Sequence, residues 1–387
     1  MQGFVFHNPT KVVFGTGSSS QLSAHVSALG HKALLVYGQH SIKKSGLYDK
    51  IVSQLQDADI AFVEHGGVKS NPSLAHAREG IAKARAEKVD FVIAVGGGSV
   101  IDEAKSIAAG AVAEDDVWRF YLGEAKIEKA LPLATVLTLP ATGSEMNGNA
   151  VITNDETNDK LGLASPNFYP RVSILDPSLT VTVPSRYTAA SAVDIVSHLT
   201  ESYFTNDGGW TPLQEYYVEG LVKTVMAATR RILQNPEDLE AHATLMWSAT
   251  LGWNGLNVAG VGAFSMPCHA LEHPISALYD IAHGAGLAIV TPAWLTAKVE
   301  EKAPKIARFA REIFAVGEED ERKAAVAGIA ALKNWYREIG APLSFGEAGI
   351  KEPDIEELTR LTVKGATIRK TPGLAEEFVR AVFQACL

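Results

Sequence analysis

The sequence predicts an α/β domain followed by an all-helical domain. Up to residue 184, short apolar runs alternate with helix-like stretches, which is typical of an open parallel sheet covered by helices. Beyond that point the strand-like runs stop, and long helical stretches follow one another between prolines. A chain of 387 residues suits two domains of ordinary size. We therefore expect residues 1–184 to form the α/β domain and residues 185–387 the helical domain.

Three apolar runs in the first half predict buried strands, and each of them ends at a glycine or a proline: residues 32–37, 91–95 and 133–139. Runs of Val, Ile and Leu without polar alternation indicate strands that are covered on both faces. Apolar residues recur at three- and four-residue spacing between Ser73 and Glu87, which predicts a helix there. In the second half, Ser185 is the predicted N-cap of a helix over residues 186–203.

Composition and charge exclude several classes of protein. Apolar residues make up 47% of the chain and charged residues 20%, which argues against disorder. The formal net charge of −9 and the lack of a basic stripe argue against nucleic-acid binding. No apolar segment is long enough to cross a membrane, and the first residues do not form a secretory signal. With two cysteines only, a disulfide framework is excluded, so we expect a soluble cytoplasmic enzyme.

Two polar turns follow predicted strands. Gly96–Ser99 lies between a strand and a helix, where glycines and a helix N-terminus favour the approach of a diphosphate. The turn is not a G-x-G-x-x-G fingerprint, and taken alone it favours a simple tight turn capped by Ser99 and Asp102. The second turn, Thr138–Glu145, carries hydroxyl groups that could contact the same ligand or merely form local turns.

Histidines and a carboxylate recur at helical spacing in the second half. Asp194 and His198 are four residues apart and therefore share one face of a helix. His269 and His273 repeat this spacing, and His283 follows ten residues later. Local Asp–His hydrogen bonds and ordinary core histidines are the alternatives to a metal site. If the residues do bind a metal, their nitrogen and oxygen donors suit Fe²⁺ or Zn²⁺ better than Ca²⁺ or Mg²⁺.

Taken together, the two polar turns and the Asp–His and His–His spacings resemble the group III, iron-containing alcohol dehydrogenases. The resemblance runs from Pro9 to the last helices, and residues 279–287 bring it closest to the butanol dehydrogenase and aldehyde reductase branch. It implies an N-terminal dinucleotide-binding domain and an all-helical C-terminal domain in the dehydroquinate synthase-like architecture. It also implies a metal ion in the cleft between the two domains.

The resemblance also implies a role for individual residues. The implied metal ligands are Asp194, His198, His269 and His283. His273 matches a histidine that does not bind the metal but lies near substrate and nicotinamide, which makes it the candidate proton relay. Pro274 departs from the family pattern and could disturb the helix around His273. The implied cofactor contacts are Gly38, Ser41, Gly97, Gly98, Ser99, Asp102, Thr138, Thr142, Ser144, Lys160 and Leu179.

Glu201 continues the helix face of Asp194 and His198, where it could support a metal-binding histidine. Gly38 stands where NAD-preferring relatives carry aspartate, so we expect NADP(H) to be preferred over NAD(H). The apolar segments Phe4–Phe6 and Val12–Phe14, together with the resemblance, predict a homodimer.

The predicted reaction is hydride transfer between NAD(P)H and a short-chain primary alcohol or aldehyde, such as butanol and butanal. A metal-dependent lyase or hydrolase of the dehydroquinate synthase type is the alternative. It would need basic residues for an anionic substrate, and residues 240–290 contain no Lys or Arg. A non-catalytic metal protein is the third possibility, but it would leave both polar turns unexplained.

Overall fold

A computed structural model describes residues 1–387, and the chain divides into two compact units. One unit comprises His7–Thr182, and the other comprises Val183–Leu387 together with Met1–Phe6. The sequence instead assigns the first six residues to the N-terminal domain. They pack with the second unit, where the Gln2 N–H donates a hydrogen bond to the Gly260 carbonyl oxygen at 3.0 Å.

The first unit is built from eight strands and six helices. The strands are β1 (Lys11–Phe14), β2 (Lys32–Tyr37), β3 (Ala61–Gly66), β4 (Phe91–Gly97), β5 (Leu133–Leu139), β6 (Asn149–Asn154), β7 (Asp159–Ala164) and β8 (Val172–Leu175). The helices are α1 (Leu22–Val26), α2 (Ser41–Lys44), α3 (Leu47–Asp57), α4 (Leu74–Ala86), α5 (Gly98–Ala111) and α6 (Val117–Tyr121). Short 3₁₀ turns, one of which ends at Leu179, connect some of these elements.

Six of these strands form one sheet in the order β1-β8-β5-β4-β2-β3, and every neighbouring pair is parallel. The three apolar runs of the sequence are β2, β4 and β5, so the predicted parallel sheet is confirmed. After β2 the chain continues to β3 at one side of this pair, and after β4 it continues to β5 at the other side. The β2–β4 pair is therefore the switch point of the sheet. In open α/β sheets, ligands bind beyond the carboxyl ends of the strands at such a point.

The antiparallel hairpin of β6 and β7 was not predicted. β6 has asparagine at both ends and β7 begins with Asp159 and Lys160, so neither strand has the long apolar run that marked the other strands. Tertiary contacts hold it in place: the buried Lys105 ammonium donates to the carbonyl oxygen of Asn149 at 2.7 Å, and Ser73 bridges to Thr153. The hairpin therefore depends on contacts that no local pattern reveals.

The second unit is helical, as the sequence predicts. Its helices are α7 (Ser185–Thr205), α8 (Pro212–Gln234), α9 (Leu239–Gly252), α10 (Pro267–Tyr279), α11 (His283–Ala297), α12 (Val299–Phe314), α13 (Glu321–Glu338), α14 (Ile355–Arg369) and α15 (Glu376–Gln384). They enclose one continuous apolar core. Ser185 is the first helical residue of α7 and Pro184 is its N-cap, one position earlier than predicted. None of the helices is long and apolar enough to span a membrane.

Candidate active site

Three helices of the second unit bring one carboxylate and three imidazoles together. Asp194 and His198 lie one turn apart on α7, His269 lies in the first turns of α10, and His283 is the first residue of α11. Asp194 Oδ1 is 3.2 Å from His198 Nδ1, 3.7 Å from His269 Nε2 and 3.8 Å from His283 Nε2. The four residues implied as metal ligands therefore meet around one carboxylate oxygen.

The polar atoms of this cluster fit a bound cation. Asp194 Oδ1 and His198 Nδ1 are buried and form no hydrogen bond, although buried polar atoms are nearly always paired. His198 Nε2 and His269 Nε2 face each other at 3.2 Å, so no more than one proton can lie between them. A divalent ion would take Asp194 Oδ1 and one ring nitrogen of each imidazole as ligands, and the other nitrogen of His198 would keep its proton. One carboxylate and three imidazoles form a donor set that suits Fe²⁺ or Zn²⁺.

The same environment shifts the pKa values of the residues in this cluster. Burial lowers the pKa of His198 to about 3, so this imidazole is neutral and one of its two ring nitrogens offers a lone pair. Burial also acts against protonation of His269, but the charges of Glu201 and Asp194 outweigh it and raise the pKa of His269 to about 9. Despite burial, the neighbouring imidazoles hold the pKa of Asp194 well below its usual range. The cluster therefore favours positive charge, which a proton or a metal ion can supply.

Two further carboxylates hold the imidazoles in place. Glu201, on α7, accepts a short hydrogen bond from His269 Nδ1 and another from the Cys268 backbone N–H at 2.6 Å. Glu272, on α10, forms a short contact with His283 Nδ1. Because each Nδ1 is occupied, the Nε2 of His269 and of His283 is directed towards Asp194. The sequence singled out Glu201 but missed Glu272, because its contact with His283 joins two helices and no local pattern marks it.

His273 lies beside the cluster rather than within it. Its side chain is buried, and its ring centroid is 5.7 Å from that of His283. Helix α10 continues through Pro274 without interruption, so the proline does not displace His273 from the helix as the sequence suggested it could. The residue belongs to a second group with Glu272 and His283, whose polar atoms lie within 4.8 Å of one another.

An aromatic pair lies next to His198. The Trp253 ring centroid is 5.4 Å from the imidazole, and Phe264 meets Trp253 edge-on at 6.2 Å. Phe264 is 37% exposed, although burial would be usual for a phenylalanine. This apolar surface beside the candidate metal ligands is suited to the alkyl chain of a small substrate.

The three glycines predicted to contact a cofactor lie at the switch point of the first unit. Gly38 directly follows β2, Gly97 ends β4, and β2 and β4 are neighbours in register. At Gly98, a Cβ atom would lie 2.4 Å from Thr142 Oγ1, so only glycine allows the two polar turns to approach this closely. The structure thus places both turns at the edge of the sheet where a dinucleotide is expected.

Hydrogen bonds connect the two turns. Asp102 accepts from Ser144 Oγ at 2.6 Å and from the Val151 N–H at 3.0 Å. Lys105, which the sequence analysis missed, donates to Ser144 Oγ at 2.7 Å, and burial lowers its pKa to about 8. The suggested cap between Ser99 and Asp102 is not formed, because Gly97 is the N-cap of α5 and Ser99 Oγ donates to the Ser70 carbonyl oxygen.

The other predicted contacts lie around this network. Lys160 donates to Asn71 Oδ1 at 3.0 Å, on the loop that also meets Ser99. Thr138 is the penultimate residue of β5 and is half-buried. Ser41 is exposed at the start of α2, and Leu179 packs against the core on the α3 side of the sheet. The network includes neither Ser41 nor Leu179.

Comparison with known proteins identifies the family. The model described as "Iron-containing alcohol dehydrogenase" matches residues 9–177, and the C-terminal model of the Fe-containing alcohol dehydrogenase family matches residues 188–387. The chain belongs to the iron-containing alcohol dehydrogenase family. It is therefore an oxidoreductase of the alcohol dehydrogenase and aldehyde reductase type, in a family that uses NAD(P)H and a divalent metal.

Several relatives within the family match along the full chain. The "Probable NADH-dependent butanol dehydrogenase 1" of Bacillus subtilis is 37% identical over 100% of both chains. The "NADPH-dependent aldehyde reductase YqhD" of Escherichia coli is 34% identical, with 93% of this chain and 92% of the reductase covered. The solved structure of NADH-dependent butanol dehydrogenase A from Thermotoga maritima superposes with a TM-score of 0.96 at 44% identity, covering 100% and 99% of the two chains.

Proposed function

We propose that this alcohol dehydrogenase interconverts short-chain primary alcohols and aldehydes, such as butanol and butanal, with one Fe²⁺ or Zn²⁺ held by Asp194, His198, His269 and His283. The observation that carries the proposal is the convergence of three imidazoles on Asp194 Oδ1. The apolar pair of Trp253 and Phe264 beside His198 supports a substrate with an alkyl chain. The names of the matched relatives, butanol dehydrogenase and aldehyde reductase, agree with this substrate class.

When bound, the metal supplies Lewis acidity at the substrate oxygen and the nicotinamide carries the hydride. The residues of this chain position the reactants and move the proton. Glu201 and Glu272 fix the imidazole rings that face Asp194, and Trp253 with Phe264 provides an apolar surface that excludes water. His273 is our candidate to hold the proton that the substrate oxygen gains during aldehyde reduction, because it lies beside the cluster without joining it.

A direct assay tests the reaction. Metal-loaded protein mixed with butanal and NADPH is expected to lower the absorbance of the reduced nicotinamide, and to do so more slowly after chelation. The lyase and hydrolase alternative predicts no change in this absorbance. No change with any short-chain aldehyde would overturn the proposal.

The proposed preference for NADP(H) rests on Gly38. A Cβ at this position would meet only the Val68 carbonyl oxygen at 3.7 Å and a Val100 methyl group at 3.9 Å, so an aspartate side chain can be accommodated. We expect Gly38→Asp to lower kcat/KM for NADPH by roughly 100-fold, because a carboxylate repels a 2′-phosphate, and to favour NADH. Steady-state kinetics with both cofactors measures this, and Gly38→Asn, of similar size, is the uncharged control.

Glu64 partly balances the positive charge of Lys43. Lys43, a candidate donor to a 2′-phosphate, lies 3.3 Å from Glu64 Oε2 and 4.4 Å from the centre of the Tyr48 ring. Glu64 also accepts hydrogen bonds from Tyr37 and Tyr48, so part of the Lys43 charge is already balanced. This balance supports a modest preference, in agreement with the occurrence of both NADH- and NADPH-dependent relatives. Better use of NADH by the unmodified chain would refute the preference.

We also propose a homodimer. Strand β1 is an edge strand that pairs only with β8, and Phe14 at its end is 44% exposed. An unpaired edge with exposed apolar side chains favours pairing with another chain. The segment Phe4–Phe6, suggested as a second source of pairing, is exposed but is not a strand. Light scattering at micromolar concentration is expected to give twice the chain mass of 41.3 kDa, and a mass of one chain alone would contradict the dimer.

The proposed location is the cytoplasm. Nicotinamide cofactors are intracellular, and both cysteines, Cys268 and Cys386, are reduced and buried.

A further inference from the structure

A second group of metal-binding side chains lies in the first unit, apart from the residues assigned to the dehydrogenase reaction. His65 is in β3, His76 is in the first turn of α4, and Glu103 is in α5. Glu103 Oε1 is 2.7 Å from His76 Nδ1 and 3.2 Å from His65 Nε2. One donor atom from each side chain lies within 4.8 Å of the other two. Three separate elements thus direct two imidazoles towards one carboxylate.

The hydrogen bonds between these residues leave one buried oxygen atom without a partner. The Glu103 side chain has no exposed surface, and its second oxygen, Oε2, is buried without a hydrogen-bond partner. Leaving a buried carboxylate oxygen unpaired costs free energy, and the partners seen here, two imidazoles, both bind the other oxygen. A cation held by both oxygens of the Glu103 carboxylate and by the two imidazoles would balance the buried charge and give Oε2 a partner.

The donor set points to a particular class of ion. Two imidazole nitrogens and one carboxylate suit Zn²⁺ or Fe²⁺, whereas Mg²⁺ and Ca²⁺ prefer oxygen ligands. Bonds of about 2.1 Å to a tetrahedral ion place its donors about 3.4 Å apart. The 3.2 Å between Glu103 Oε1 and His65 Nε2 is close to this value, and the 2.7 Å between Glu103 Oε1 and His76 Nδ1 would widen when the ion binds. The His76 side chain is 25% exposed, which leaves a route for the ion from solvent. We propose that His65, His76 and Glu103 form a second divalent-cation site, with solvent completing the coordination.

Such an ion would stabilise the loop over the proposed cofactor turn. His65 and His76 lie at the two ends of the loop that joins β3 to α4. Within this loop, the Ser70 carbonyl oxygen accepts from Ser99 Oγ, and Asn71 Oδ1 accepts from Lys160. The ion would therefore tie both ends of the loop to α5 through Glu103, and its role would be structural rather than catalytic.

Metal stoichiometry tests the site without reference to activity. The full-length chain is stripped with a chelator, loaded with Zn²⁺, desalted and analysed by mass spectrometry of the metal. We expect two zinc ions per wild-type chain, one in Glu103→Gln, one in His76→Asn and one in His269→Ala. The double variant Glu103→Gln/His269→Ala is expected to retain none. His31→Asn, which removes an exposed histidine of the same unit, is the matched control and should retain two.

The outcomes separate this site from the proposed active site. Glu103→Gln leaves the Asp194 cluster intact and His269→Ala leaves Glu103 intact, so the loss of each ion is seen independently. A single zinc ion in the wild-type chain that Glu103→Gln keeps and His269→Ala loses would overturn the proposal, and so would variants of Glu103 and His76 that both retain two. A single ion that Glu103→Gln loses and His269→Ala keeps would instead contradict the proposed active site. Titration of the stripped wild-type chain and of stripped His269→Ala with Co²⁺ is expected to saturate at two equivalents and at one, and the absence of any Co²⁺ spectrum with His269→Ala contradicts the second site.

Discussion

Replacing His269 with alanine is expected to abolish stoichiometric retention of the active-site metal and to lower kcat/KM for butanal by about 1,000-fold or more. Loss of metal-ion catalysis removes several kcal/mol of charge stabilisation in the transition state, and each 1.36 kcal/mol is a factor of ten in rate. The variant also leaves Asp194 Oδ1 with one imidazole fewer and leaves Glu201 Oε1 without its imidazole partner, while Glu201 Oε2 keeps the Cys268 N–H. Metal analysis and steady-state kinetics measure the two effects.

The matched control is His242→Ala, because His242 is also buried in the second unit but hydrogen-bonds the Pro236 carbonyl oxygen outside the cluster. It is expected to retain the metal and most of the activity. Chelated wild-type protein should lose activity to the same degree as His269→Ala and regain it with Fe²⁺ or Zn²⁺. Turnover of butanal at the wild-type rate by metal-free protein would contradict the proposed mechanism.

Replacing His273 with alanine is expected to have the second-largest effect, with metal retained and kcat reduced roughly 100-fold. A positioned acid–base group contributes factors of this size to proton transfer. His273 lies beside His283 and outside the group of atoms around Asp194 Oδ1, so its loss should leave the metal donors intact. The measurement is kcat as a function of pH, in which the variant should lose the dependence on one titrating group.

His273→Asn is the companion variant, since it keeps a polar side chain of similar size but cannot carry the proton. It should resemble the alanine variant in kcat and the wild type in metal content. Loss of metal from both variants would show that His273 is a ligand and that one of the four assigned donors is not.

Local patterns in the sequence were sufficient for the main elements of the fold. Strands β2, β4 and β5 are buried on both faces, so their apolar runs are continuous and easily recognised. The hairpin of β6 and β7 lacks this signal. Its position depends on the hydrogen bond from Lys105 and on the bridge between Thr153 and Ser73, the N-cap of α4. Sequence periodicity describes one element at a time and does not report such contacts.

In the candidate site, too, the sequence predicts contacts within one element but not contacts between elements. The Asp194–His198 and His269–His273 spacings are visible because each pair lies on one helix. The contacts of Glu272 with His283 and of Glu103 with His65 join residues on different elements, and a single acidic residue in a sequence has no distinguishing pattern. Likewise, the pairing of Lys43 with Glu64 joins α2 to β3, so the sequence alone does not show that part of the Lys43 charge is balanced.

The proposed metal donors all belong to the unit that contains Val183–Leu387, and the proposed cofactor contacts all belong to His7–Thr182. Each set is assembled by the packing of its own unit, so the choice of metal and the choice of coenzyme can change independently during evolution. Substitutions at Gly38 and at His269 share no partner, and their effects on binding should therefore combine additively. For engineering, we expect that exchanging residues 7–182 replaces all the proposed coenzyme contacts and leaves the four proposed metal donors in place.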